Sequence, residues 1–166
     1  SVGDQGGRAV LELSLGGYVI VGYNAHTTRK VDVLKLDING SIIWQQQFDN
    51  GNSYQNIHDI FENPQGLILG GGNSVSGRGG ETWVIQLDLN GNLISNSTMG
   101  ESNTNEYGVG MDVSSSSYIL TGSGAYQIGS GFDIYVVKDV GSGVNGWTYG
   151  DVNNLGNEVG YDVAFT

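Results

Sequence analysis

The sequence predicts an all-β protein assembled from repeated units of four short antiparallel strands. Three observations predict it. A strand–turn–strand stretch, Val31–Trp44 (VDVLKLDINGSIIW), returns as Thr82–Ser95 and more loosely as Ile134–Trp147. The interval is about fifty residues, the mark of a tandem structural repeat. Short runs rich in Val, Ile, Tyr and Trp lie between Gly, Asn and Ser, and no window holds an apolar period of about 3.6 residues over a helix length.

Each unit contains four kinds of strand. The first carries one acid among apolar or small neighbours, in Val10-Leu11-Glu12-Leu13, Ile57-His58-Asp59-Ile60, Gly110-Met111-Asp112-Val113 and Gly160-Tyr161-Asp162-Val163. The second starts beside a Gly or Ser turn, at 17–22, 66–71 and 117–122. The third opens the repeated stretch and ends at Asp37, Asp88 or Asp139, and the fourth follows its turn. Runs such as Tyr18-Val19-Ile20-Val21 are apolar at consecutive positions, as expected of a sheet covered on both faces. Four short strands per repeat, covered on both sides, describe a β-propeller blade. The blades are read as 1–50, 51–100 and 101–150, with 151–166 supplying the inner strand of an incomplete fourth. The Gly/Ser-rich stretches Asn73–Gly80 and Gly124–Gly131 read as solvent-exposed connections. A closed propeller needs at least about four blades. The chain is therefore expected to be a piece of a longer protein, half of a pair, or a subunit whose last strand inserts into a neighbour.

The residues Gly16-Gly17-Tyr18 with Gly22, then Asp32, Leu34, Lys35, Leu36, Asp37, Gly40 and Trp44, carry a resemblance. The chain resembles the tandem propeller repeats of secreted and surface proteins of bacteria and archaea. The second copy keeps Leu87, Asp88 and Gly91 but has Gln86 for Lys and Ser95 for Trp, and the third keeps Lys138 and Trp147 but loses the regular turn. The resemblance covers the whole chain and implies a fold and an extracellular or cell-surface setting. It implies no activity, because one fold hosts many functions.

Composition narrows the partners. Six Lys and Arg against 17 Asp and Glu give a net charge of −11, and charged residues make up only 14% of the chain. Nucleic acid is not an expected partner, since phosphate binding needs clustered cations. There is no Cys, which excludes disulfides and thiolate zinc sites. No apolar run approaches the roughly 20 residues of a membrane-spanning helix, so membrane insertion is not expected. The expected partners are other copies of the chain or the rest of a longer one, and glycans.

Candidate sites follow from the repeats. Glu12, Asp59, Asp112 and Asp162 recur at one position and could surround a central axis and hold a cation such as calcium; no other cofactor is expected. Equally, they could accept hydrogen bonds from backbone amides of a turn or of the next blade, and repetition in every blade favours that structural role. Asp37-Ile38-Asn39-Gly40 and Asp88-Leu89-Asn90-Gly91 have Gly too early for a calcium loop and read as type I′ hairpin turns. His26 and His58 stand in no nucleophile motif, so no catalytic residue is assigned and no enzyme is expected. Trp44 and Trp147 read as packing between blades, while Trp83 and Tyr126 are the candidates for stacking on a sugar. Asn39 and Asn96 each open a glycosylation sequon. The expected function is a non-enzymatic extracellular module for adhesion or surface assembly, self-assembling through its terminal strand, with a carbohydrate-binding or carbohydrate-processing propeller as the rival.

Overall fold

A computed structural model describes residues 4–25, 29–51, 54–75, 79–99, 106–114, 117–124, 133–139, 144–149 and 159–166. The described residues are all-β, with no helix and three antiparallel four-stranded sheets that close no ring. The first sheet contains β1 (Asp4–Glu12), β2 (Tyr18–Ala25), β3 (Arg29–Leu36) and β4 (Ile42–Phe48). The second contains β5 (Gln55–Asn63), β6 (Gly66–Val75), β7 (Gly79–Leu87) and β8 (Leu93–Met99). The third contains β9 (Glu106–Ser114), β10 (Ser117–Gly124), β11 (Asp133–Asp139) and β12 (Val144–Tyr149). Each is a meander in which strands neighbouring in sequence pair in space.

Packing between sheets uses the two faces of each strand in turn. Val19, Val21, Val31 and Val33 of the first sheet share a core with Ile57, Leu67, Leu69, Trp83, Ile85 and Leu87 of the second. The alternate positions Ile68 and Val84 look the other way and pack with Met111, Tyr118 and Leu120 of the third. The second sheet is thus buried on both sides, which accounts for its unbroken Leu67-Ile68-Leu69 run. β5 lies against β1, β2 and β3, and β9 lies against β5, β6 and β7. The first strand of each later sheet therefore crosses onto the sheet before it. The outer strands β4 and β8 are mostly exposed, and so is β1.

Two sequence expectations change here. Asn73–Gly80 is not wholly a surface connection: β6 continues to Val75, with Asn73 opposite Glu81, and both side chains are buried. Cross-strand pairing overrides the low strand preference of Gly, Asn and Ser. Residues 159–166, expected as an inner strand, lie on the third sheet without forming a strand: Gly160 N donates to Gly122 O at 3.0 Å. No partner strand from the described residues completes a ladder there.

Candidate functional site

The four recurring acids lie at corresponding places but do different work. Asp59 Oδ1 accepts the Ile60 amide at 2.9 Å, and its Oδ2 accepts the Met111 amide of the third sheet at 3.3 Å. Asp112 accepts the Val113 amide at 2.8 Å and reaches the Phe165 amide of the terminal segment at 2.7 Å. Asp162 accepts the Val163 amide at 2.9 Å, while Glu12 is exposed at the end of β1. Asp59 and Asp112 therefore fasten one segment to the next through backbone amides. Burial, opposed by its amide partners and reinforced by the charges of Asp162 and Asp112, raises the Asp59 pKa above the ordinary carboxylate value. Among the described residues no group of three or more His, Cys, Asp or Glu is placed to hold a metal ion.

The aromatic candidates divide. Trp83 is fully buried, with its ring nitrogen donating to Asn96 Oδ1 at 2.6 Å, so it offers no face to a sugar. The sequence assigns it to binding because a bulky aromatic on a strand reads alike whether it faces a neighbouring sheet or solvent. Trp44 is half-buried and spans two sheets: its Nε1 and Lys35 Nζ both donate to Leu89 O, at 3.2 and 2.9 Å. Tyr126, the Trp147 side chain and His26 lie outside the described residues.

The Asn-Gly turns differ from the expected type. Gly40 N donates to Asp37 O at 3.1 Å and Asp37 N to Ser41 O at 2.9 Å. Gly91 N and Asp88 N repeat this with Asp88 O and Asn92 O. The Gly is thus the fourth residue of the turn, in left-handed conformation (φ 84° and 85°), with a bulge two or three residues away in the flanking strand. This is the longer hairpin, a type I turn followed by a left-handed Gly, and not the two-residue type I′ turn. Asp37 Oδ1 takes the amides of Asn39 and Ser41, and Asp88 Oδ1 those of Asn90 and Asn92. The Asn92 side chain and these amides hold the Asp88 pKa below its ordinary value. The acids close turns. The two sequon residues, Asn39 in one such turn and Asn96 on β8, are both exposed. His58 sits at a β5 bulge with its Nε2 2.9 Å from Asn56 Nδ2. Its pKa is lowered by burial and by the charges of Arg8 and Arg29.

One concavity gathers residues that the sequence reading assigned to no binding site. A groove of about 480 Å³ opens on the first sheet, on the face turned away from the second. Ile20 and Leu34 form part of its lining, with Tyr23, Gln5, Gln45 and Asp32 around them. Arg29 lies 4.0 Å and Arg8 5.1 Å from the Tyr23 ring centroid, and Arg29 is also 5.0 Å from that of Tyr54. Asp32 is only 8% exposed, and its Oδ1 accepts Gln47 Nε2 at 2.8 Å. One signal could have marked it. Asp32 pairs with Gly22 in the register where Trp83 pairs with Gly71 and Tyr135 with Gly122. An acid stands in the first repeat where the other two carry a buried aromatic.

A scan against models of protein families finds none that matches this chain, and a search of curated proteins finds no match.

Proposed function

We propose that the chain is a run of β-propeller blades belonging to a non-enzymatic extracellular module that serves adhesion or builds a surface assembly. The observation that carries the reading is the repeated docking of one segment on the sheet before it. β5 lies on the first sheet, β9 on the second, and residues 159–166 contact the third. Asp59 and Asp112 make the corresponding fastening at the last two steps. Stacking of this kind, continued through further sheets, is how a propeller closes. In this reading 151–166 supplies the inner strand of a further blade, whose other strands come from another copy or from the rest of a longer chain. Tyr161, 74% exposed on that segment, suits such an addition.

Light scattering tests the assembly. The intact chain is expected to give particles heavier than the 17.6 kDa monomer, and deletion of residues 151–166 is expected to return it to monomers. A deletion that leaves the assembled mass unchanged rules out the terminal segment. Glycosylation at Asn39 and Asn96 belongs to the same extracellular reading, and an intact mass equal to the sequence mass refutes it.

A further inference from the structure

We propose that the second sheet binds a calcium ion where it packs on the first, through Glu81 and Asn73 with Gln55 beside them. This site stands apart from the assembly reading, because it lies between two sheets of the same chain. Gln55 is the register partner of Asn73, and Asn73 that of Glu81, so the three form one row across β5, β6 and β7. The row two residues further along is Ile57, Gly71 and Trp83. Ile57 and Trp83 belong to the core shared with the first sheet, and strand alternation puts the polar row on that same face. Directly opposed side chains start about 4.5–5.5 Å apart, so the longer Gln55 and Glu81 flank the shorter Asn73 and can close over it.

Burial gives the row its chemistry. Gln55 and Asn73 are 0% exposed and Glu81 is 1% exposed. Neither Oδ1 nor Nδ2 of Asn73 meets a hydrogen-bonding partner among the described residues. Buried side-chain amides are as a rule satisfied, so an Asn held in this way points to a ligand at its oxygen. Glu81 brings a formal negative charge into the same dry place, where charge is kept only with strong compensation. A cation shared by the Glu81 carboxylate and Asn73 Oδ1 meets both needs. Gln55 is oriented from the end of β4: its Nε2 donates to Asp49 Oδ1 at 2.8 Å, and its Oε1 accepts the Asn50 amide at 3.2 Å. That fixes Oε1 at the edge of the row as a third oxygen. The donors are all oxygen, one charged and two neutral, which is the hard-ligand chemistry of calcium. Magnesium demands a stricter octahedron and sheds its water reluctantly, and the row has no sulfur or imidazole for zinc or copper. The site lacks the usual sign of a metal centre, three clustered acids or histidines, because two of its three donors are amides.

The test uses the intact chain dialysed against EGTA. Calorimetry with calcium chloride is expected to show saturable binding, and calcium at about 1 mM should raise the thermal midpoint while magnesium at the same concentration does much less. Glu81→Gln keeps the shape and removes the charge, and should weaken calcium binding about tenfold or more. Terbium locates the ion. Trp83 lies two residues from Glu81 on the same face of β7, so exciting its ring should sensitise terbium luminescence that added calcium quenches. Trp83→Phe should remove most of that emission with the calcium affinity retained. No saturable calcium binding, equal protection by magnesium, a Glu81→Gln variant that binds like the parent, or terbium emission that survives Trp83→Phe would each overturn the proposal. Should Glu81→Gln fail to fold, the terbium result on the parent and on Trp83→Phe still decides the matter.

Discussion

Trp83→Ala removes the largest fully buried side chain of the described residues and measures whether the second sheet is covered as described. A buried Trp hides roughly 150–250 Å². At about 25 cal/mol per Å² that is about 4–6 kcal/mol, an upper estimate because the unfolded chain already hides part of it. Measured truncations of buried aromatics cost about 3–5 kcal/mol, with part of the spread set by how far the cavity collapses. Here collapse is restricted, because Trp83 shares its core with Val19, Val21, Val31 and Val33 of one sheet and Ile57 and Ile85 of its own. The hydrogen bond to Asn96 adds about 1 kcal/mol, and no more, since Asn96 is exposed and its oxygen rehydrates. Urea unfolding should therefore show Trp83→Ala less stable by about 3–5 kcal/mol. Trp83→Phe, which keeps most of the bulk, should lose about 1–2 kcal/mol, and combining it with Asn96→Ala should add little because their shared bond is already gone. A Trp83→Ala loss below about 1 kcal/mol would refute the reasoning, place the ring at the surface and restore it as a sugar platform.

Three further results are expected. Gly40→Ala and Gly91→Ala both force a side chain into left-handed backbone and should each cost about 1–2 kcal/mol. Gly91→Ala should cost more in the same urea series, because its Cβ would come 3.2 Å from the Trp44 ring while Gly40 faces open space; equal losses would contradict the packing of Trp44 on the second sheet. Asp49 is held at about 2 by the Gln55 side chain, Lys30 and the Gly51 amide. Its folded pKa lies below the unfolded one, so its contribution is present above about 3.8 and is lost as pH falls toward about 2. Asp49→Asn should flatten acid unfolding in that window, by less than about 1 kcal/mol for so exposed a group. Asp59 has the opposite sign: its folded pKa is raised, so its contribution is greatest below the ordinary value and declines as pH rises through the raised one. Carboxyl NMR should find Asp59 titrating above Asp49, and Asp112→Asn should bring it down; an unmoved Asp59 would show that the two acids do not feel each other.

What the sequence revealed and what it hid have physical causes. The four strands of each repeat were legible because every unit restates the same strand–turn–strand pattern, and β4, β8 and β12 each follow the turn as the sequence predicts. The turn type was not legible, because Asn-Gly suits two hairpins and only the Gly40 bond to Asp37 O decides between them. The length of the β6–β7 hairpin was hidden for a related reason: Asn73 and Glu81 look solvated in sequence and are buried by their place against neighbouring sheets. Trp83 and Asp32 reverse one another. The residue that looked fit to bind is core, and an acid that carried only the repeat pattern in the sequence borders the groove. Both facts depend on which sheet covers which face, and a single strand does not carry that information.

Electron microscopy of the assembled protein tests the central claim most directly. Continued docking of each segment on the sheet before it predicts a disc of about four to eight radial lobes around a central channel. An open linear stack of sheets, or a particle of three sheets with nothing against the first or third, would contradict it.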